Sequence, residues 1–183
     1  VTEEKDVADL LQMKDLQGLP KWVLGGGSNI VLTGDVDAVV LKVEIPGIRL
    51  VEETPDAWIV EAGAGVGWHE LVHWTLDHDM GGLENLALIP GSVGAAPVQN
   101  IGAYGMELQN RFHSLDAVDL SDASHHELDA SACQFGYRDS VFKRPRRQNE
   151  AGQSAGWRGQ LLITRVRFAL PKRWRAEVAY QDL

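Results

Sequence analysis

The spacing of hydrophobic and polar positions predicts a chain that begins with a short helix and continues mainly as strands. Val7, Leu10 and Leu11 recur at helical spacing, which predicts an amphipathic helix within residues 2–17. Runs rich in β-branched residues predict strands at 22–24, 37–43, 48–53, 57–62, 112–120, 125–128 and 161–169. Since turns separate the three strands from 37 to 62, we expect these to form one local antiparallel sheet. Residues 130–133 are expected to form a short connecting turn or helix, and residues 144–160 a mobile loop.

A second helix is predicted after Gly67, with one apolar stripe formed by Trp68, Leu71, Val72, Thr75 and Leu76. The same helix carries the sequence His-Glu-Leu-Val-His at 69–73, which matches a pattern that binds zinc through two imidazoles. A longer metalloprotease motif would need glycine and histidine where this chain has Leu76 and Asp79. We therefore interpret the two histidines as part of a solvent-exposed face and expect no metal.

Residues 25–29, Gly-Gly-Gly-Ser-Asn, follow a predicted buried strand directly. A helix, a strand and a glycine turn in this order are typical of half an α/β phosphate-binding unit. The Gly-Lys-Ser/Thr ending of a P-loop is missing, so hydrolysis of nucleoside triphosphates is unsupported. A plain turn is the alternative reading of three glycines.

The most informative stretch is residues 89–105, which consist mostly of glycine, alanine, serine, proline and amide side chains. Small side chains let a ligand approach the main chain and leave backbone N–H groups free to bind it. Ile89, Val93, Val98 and Ile101 recur as expected buried anchors, and Gln99-Asn100 adds two amides that can read a polar heterocycle. A long surface loop is the alternative, but such a loop needs neither feature. The stretch therefore predicts a binding segment for a large polyanion.

The composition of the chain limits the classes of partner that it can bind. The chain has 183 residues, 44% of them hydrophobic, and a net charge of −9, which disfavours nucleic acid or an anionic membrane as a partner. No apolar run approaches the length of a membrane span, and the first residues do not resemble a signal peptide, so we expect a cytoplasmic protein. The single cysteine, Cys133, is expected to be a buried, inert thiol. The basic cluster at 143–147 is interpreted as a solvated face.

Several motifs stand in one order: 24–29, the strand and helix from 61 to 76, 82–91, 99–105 and Phe-Gly-Tyr-Arg-Asp-Ser at 135–140. Together they resemble the UDP-N-acetylenolpyruvoylglucosamine reductase family, a group of flavoenzymes in bacterial peptidoglycan precursor synthesis. The resemblance implies an α+β protein with the vanillyl-alcohol-oxidase type of FAD-binding fold. A small α/β subdomain (1–45) would pack on a larger α+β subdomain (46–183), with FAD between them and NADPH as the reductant.

Backbone N–H groups at 26–29 and 91–96 would hold the pyrophosphate of FAD, because the acidic chain offers few cations there. The resemblance assigns these residues to the cofactor: Leu24, Gly25, Gly26, Gly27, Ser28, Asn29, Ile89, Pro90, Gly91, Ser92, Gly94, Ala95, Ala96, Asn100, Ile101, Gly102, Tyr104 and Gly105.

Arg138 matches the family arginine that stabilises the enolate-like carboxylate formed when hydride adds to the enolpyruvyl group. A guanidinium suits this role because it binds both carboxylate oxygens and stays charged. The alternative is a surface ion pair between Arg138 and Asp139. Tyr137 and Tyr180 are the other expected contacts to the UDP-sugar substrate.

The resemblance places the family's proton-donating serine and a late glutamate in a further, substrate-binding domain. We therefore expect this chain to be a monomeric fragment that can bind flavin but lacks turnover. A flavin-binding module and another FAD-dependent oxidoreductase of the same fold are the alternatives.

Overall fold

The computed structural model describes residues 1–145, 147–148, 154–176 and 178. In this part of the chain the α-helices are α1 (Lys5–Gln12), α2 (Trp68–Asp77) and α3 (Ala130–Cys133). The longer strands are β1 (Lys21–Leu24), β2 (Val39–Lys42), β3 (Ile48–Glu53), β4 (Ala57–Gly63), β5 (Phe112–Asp119), β6 (His125–Asp129) and β7 (Leu161–Pro171). Two-residue strands pair at 102–103 with 106–107 and at 147–148 with 154–155.

The strands β1 and β2 form a small parallel sheet in register from Lys21 opposite Val39 to Leu24 opposite Lys42. Our expectation that 37–43 joins the antiparallel sheet of 48–53 and 57–62 is therefore wrong. The turn at Pro46-Gly47 accounts for the change, because proline offers no N–H to a strand ladder and Gly47 has a φ of +102°. The chain leaves one sheet there and enters the other.

The larger sheet has the strand order β3-β4-β7-β5-β6 and is antiparallel throughout. The helix α2 covers one face, where the Trp68 and Phe168 rings meet edge to face with centroids 5.7 Å apart. The predicted alternation of β7 is confirmed, since Leu162, Thr164, Val166 and Phe168 are all fully buried. These contacts make this sheet the main hydrophobic core.

The opposite face of the larger sheet carries a row of charges centred on Glu61, which is 3% exposed. Arg49 and Arg167 both donate to its carboxylate, at 2.7 and 2.9 Å, and Arg167 also reaches Asp116. Burial alone would raise the pKa of Glu61, but Arg49, Arg167 and Arg165 together lower it below the ordinary value. The buried carboxylate is thus ionised and ties β3, β4, β7 and β5 together.

Glycines join the two sheets closely. The Gly65 N–H donates to the Ile45 carbonyl at 2.9 Å, and a Cβ on Gly65 would lie 2.4 Å from the Glu44 backbone. A side chain at this position would separate the sheets, so the glycine is required by the close approach.

Other predictions hold in part. The helix α1 is shorter than predicted and is followed by a separate 3₁₀ turn at Lys14–Leu16. Leu76 is 43% exposed and so lies outside the buried stripe of α2.

Cys133 is buried as expected, and burial raises the pKa of its thiol to about 12. None of the helices among the described residues is long and apolar enough to cross a membrane.

Candidate functional site

Residues 25–29, here called the glycine turn, lie at the end of β1 and are mostly exposed. Gly27 has a φ of +73°, a conformation that favours glycine. Within the described residues, the N–H groups of Gly26 to Asn29 donate to no protein acceptor. Four adjacent backbone donors are therefore available to a ligand.

Residues 89–105 are here called the ribbon. Gly91, near its start, has a φ of +125°, and Val93–Gln99 form a 3₁₀ helix. Val93 and Ile101 are buried, and Ile89 and Val98 pack against the core, as predicted. The N–H groups from Val93 to Ala96 already bind protein carbonyls, with Val93 and Gly94 donating to Val66 and Ala64 at 2.9 Å. The prediction that the whole of 91–96 offers donors is thus wrong, because within the described part of the chain only the N–H groups of Gly91 and Ser92 make no hydrogen bond.

The glycine turn and the ribbon face each other at short range. A Cβ on Gly25 would lie 2.7 Å from the Ser92 Oγ, and a Cβ on Gly26 would lie 3.5 Å from the Gly91 Cα. Farther along, the Asn29 side chain donates to that of Gln99 at 3.4 Å. Two segments separated by more than sixty residues in sequence thus form the walls of one crevice.

The crevice has two chambers. The first, which we call the turn chamber, has a volume of about 360 Å³ and lies between the glycine turn and the ribbon. The second, which we call the aromatic chamber, has a volume of about 410 Å³. Its lining includes Trp22, Phe142, Trp157, Leu161 and Ile163. Both chambers share Trp22, Val23, Gly25, Ser92, Ala95 and Val98.

Polar groups in the crevice suit an anion. Among the described lining residues, Lys143 is the one charged residue of the turn chamber and Arg158 that of the aromatic chamber. The Ser92 hydroxyl, on a residue 6% exposed, has no hydrogen-bond partner among the described groups. A buried hydroxyl without a partner is costly, so its place in both chambers indicates a ligand that would accept or donate a bond there.

Most of the predicted cofactor residues line this crevice. The turn chamber is lined by Leu24, Gly25, Gly26, Gly27, Ser28, Asn29, Pro90, Gly91, Ser92, Ala95, Ala96 and Ile101, and Gly94 lines the aromatic chamber. The predicted residues outside both linings are Ile89, Asn100, Gly102, Tyr104 and Gly105.

The aromatic chamber was missed by sequence reasoning. Trp157 and Arg158 fall within the stretch expected to be a mobile loop, yet their N–H groups donate to the carbonyls of Val141 and Arg144 at 2.9 Å. These two residues are thus fixed against the segment that follows Arg138. Trp22 offered a weak signal, because a large aromatic residue directly before a glycine turn can line the same cavity.

Arg138 lies in a tight turn closed by paired backbone bonds between Gly136 and Asp139, at 3.0 and 3.1 Å. Its φ is +51°, and its guanidinium donates to the Gly102 carbonyl of the ribbon. The alternative ion pair with Asp139 is not formed, because Asp139 binds Arg144 at 2.7 Å. That hydrogen bond from Arg144 lowers the pKa of Asp139. The Arg138 guanidinium is therefore not neutralised by its neighbour in sequence.

The other predicted substrate residues differ in position. Tyr137 is 85% exposed, with the Arg138 guanidinium 5.8 Å from its ring centroid. Tyr180 lies outside the described residues. Tyr104 is 47% exposed and has a φ of +49°.

No third ligand among the described residues completes the zinc pattern. The His69 and His73 rings meet edge to face at 4.5 Å, and the Nδ1 atom of His69 faces the Leu88 N–H at 3.3 Å. Among the described residues, no group of three His, Cys, Asp or Glu side chains is placed to hold a metal ion. These side chains form a partly exposed helix face.

The fold and the crevice define a FAD-binding protein of the vanillyl-alcohol-oxidase type, as the sequence predicted. The model of the FAD binding domain family matches residues 1–129, so the chain belongs to that family. Two solved structures share the fold. The reductase MurB from Thermus caldophilus has a TM-score of 0.61 and 24% identity over 92% of this chain and 53% of that chain. The cholesterol oxidase from B. sterolicum has a TM-score of 0.55 and 17% identity over 93% of this chain and 33% of that chain.

Curated relatives are more similar in sequence. The UDP-N-acetylenolpyruvoylglucosamine reductase of Paraburkholderia xenovorans is 57% identical over 91% of this chain and 45% of its own length. The reductase of the same name from Azoarcus sp. is 52% identical over the whole of this chain and 50% of its own length. The chain thus spans about half the length of the curated relatives it matches.

Proposed function

We propose that the chain is the FAD-binding part of a reductase that converts UDP-N-acetylglucosamine enolpyruvate to UDP-N-acetylmuramate with NADPH. The observation that carries the proposal is the crevice, in which free backbone donors, Lys143 and an unpartnered Ser92 hydroxyl face one cavity. The relatives named as this reductase support the substrate. The reaction belongs to peptidoglycan precursor synthesis in the cytoplasm, and so to cell wall formation, cell shape and division.

We assign the ends of the crevice to different parts of FAD, which would lie between residues 1–45 and 46–183. The glycine turn would hold the pyrophosphate, because its four free N–H groups and the Lys143 ammonium stabilise negative charge. The flavin ring would lie on the side of the turn chamber, because Arg138 is near that chamber and Lys143 donates to its carbonyl. The adenine, at the other end of FAD, would then lie in the aromatic chamber. When bound, FAD supplies hydride transfer between NADPH and the substrate.

Arg138 would bind the carboxylate of the enolpyruvyl group and stabilise the negative charge that develops there. Its guanidinium suits this role because Asp139 pairs with Arg144 instead. Tyr137 and Tyr180 are the further proposed substrate contacts. We propose that the chain binds FAD as a monomer.

Flavin titration of the purified chain tests the proposal. We expect FAD to bind and its absorbance to bleach with NADPH under anaerobic conditions. FAD that binds but is inert to NADPH would instead support a flavin-binding module. A chain that binds no FAD at any accessible concentration would refute the assignment.

A second titration tests the placement of the adenine. Trp157→Ala removes an aromatic wall of the aromatic chamber, so we expect it to weaken FAD binding while leaving FMN binding unchanged. The control is Trp174→Ala, because Trp174 packs on Gly81 and lines neither chamber. Equal losses of FAD and FMN affinity with Trp157→Ala would place the adenine elsewhere.

A further inference from the structure

The ribbon and the Arg138 turn are joined by side-chain hydrogen bonds at three alternating residues of the ribbon. The Ser140 Oγ donates to the Val98 carbonyl at 2.5 Å, and the Asn100 Nδ2 donates to the Gly136 carbonyl at 3.0 Å. The third bond is that of the Arg138 guanidinium to the Gly102 carbonyl. Two of the three bonds therefore come from side chains other than Arg138 itself.

We propose that Asn100 and Ser140 are positioning residues that hold Arg138 at the edge of the crevice. Both side chains are fully buried, whereas Arg138 is exposed and its guanidinium donates to the Gly102 carbonyl at the surface. The role of Arg138 in binding the substrate carboxylate rests on the proposed function, but its positioning by Asn100 and Ser140 does not depend on that function.

The backbone at Arg138 needs support from outside its own turn. Its φ of +51° is uncommon for a residue with a side chain, and such conformations persist where the surrounding structure enforces them. Asn100 and Ser140 hold the two sides of the turn against the ribbon. Lys143 adds a third support, since its Nζ donates to the Arg138 carbonyl at 2.7 Å.

The amide of Asn100 is fully used by protein groups. Its Oδ1 accepts from the Gln109 N–H at 3.0 Å, and its Nδ2 also donates to the Glu107 carboxylate at 3.0 Å. The residue itself has a φ of +43°, which asparagine tolerates better than most side chains. The sequence-based expectation that this amide reads the cofactor is therefore replaced by a role between the ribbon and the Arg138 turn.

The chemistry of this position suggests informative variants. Asn100→Gly tolerates the positive φ and removes all the side-chain bonds. Asn100→Asp keeps the shape but places a second carboxylate against Glu107 and removes the donor to Gly136. Ser140→Ala removes the bond to Val98 in a different segment of the chain.

Arginine-selective labelling of the whole chain with phenylglyoxal, followed by peptide mass spectrometry, measures the freedom of Arg138. The exposed Arg173 serves as the internal reference. We expect Asn100→Gly, Asn100→Asp and Ser140→Ala each to raise the Arg138 to Arg173 labelling ratio about fivefold, the size expected for loss of one hydrogen bond. For Ser140→Ala the FAD dissociation constant should stay within about twofold, because the Ser140 side chain lines neither chamber.

Asn110→Ala is the matched control, because this exposed amide caps the Glu107 N–H at 2.8 Å and does not contact the Arg138 turn. It should leave the labelling ratio unchanged. An unchanged ratio in the Asn100 and Ser140 variants, or an equal rise in Asn110→Ala, would overturn the proposal. Should the Asn100 variants fail to fold, Ser140→Ala decides the question alone. Failure of the proposed function would appear separately, as absence of FAD binding by the unaltered chain.

Discussion

The small parallel sheet and the larger antiparallel sheet are built in opposite ways. Among the described residues up to 45, the buried hydrophobic side chains are Val7, Leu41, Val43 and Ile45, and residues 26–37 are exposed throughout. The larger sheet buries complete alternating faces, supports α2 and closes its other face with an ion network. The larger sheet thus supplies most of the stability, whereas the small sheet and its glycine turn supply unpaired backbone donors at the crevice.

The largest effect is expected where Gly65 allows the two sheets to approach closely. Gly65→Ala places a Cβ 2.4 Å from the Glu44 backbone, so we expect a loss of about 3 kcal/mol in the free energy of unfolding. Thermal unfolding should then shift downward by roughly 10 °C. Gly34→Ala is the control, since no atom lies within 4 Å of its Cβ position. Equal stability of the two variants would show that the sheets are not tightly joined.

The next effect concerns the larger sheet alone. Glu61→Gln removes the charge that receives Arg49 and Arg167, which should cost about 2 kcal/mol of unfolding free energy. Because the pKa of Glu61 is lowered in the folded state, its stabilisation is fully present above the ordinary value of 4.5. It is lost as the pH falls through the lower folded value. Urea unfolding from pH 7 to pH 3 should therefore show the difference between parent and variant shrinking only at the acid end.

A third effect separates binding from stability. Gly25→Val pushes a side chain toward the Ser92 Oγ and Ala95 Cβ, which lie 2.7 and 3.3 Å from the Cβ position. We expect FAD binding to weaken by tenfold or more, equivalent to about 1.4 kcal/mol. The unfolding free energy should change less, because the larger sheet is untouched. Gly34→Val is the matched control, and a loss of affinity there as well would remove the special role of the crevice.

A fourth prediction changes neither stability nor FAD binding and uses Cys133 as a reporter of the larger region. With the pKa of its thiol raised to about 12 by burial, the thiol should react with Ellman's reagent at pH 8 about a thousandfold more slowly than free cysteine. Denaturant should restore the ordinary rate. Fast reaction in the folded chain, measured by absorbance at the thionitrobenzoate band, would show that α3 opens and that the larger region is less rigid than its burial indicates.

Local patterns predicted most of the elements because each depends on neighbours in sequence. The alternation in β7 and the helical stripe from Trp68 to Thr75 follow from one face being buried. The partner of β2 could not be read in this way, since pairing depends on where the chain turns at Pro46-Gly47. The free donors of the ribbon were overestimated for a related reason, because Val93 and Gly94 donate to carbonyls of a distant segment, while Ala95 and Ala96 donate to the Ser92 carbonyl in the folded turn.

The order of five motifs in the sequence determined the family, and through that resemblance FAD as the cofactor. The sequence also determined the two segments that form the crevice, because glycine turns and runs of small residues are local requirements for contact between backbone and ligand. Tertiary structure alone decided that Trp157 and Arg158 line the second chamber, that Asp139 pairs with Arg144, and that Asn100 serves the Arg138 turn. Each of these outcomes depends on which groups compete for the same hydrogen bond or cavity wall, and that competition is settled only when the chain is folded.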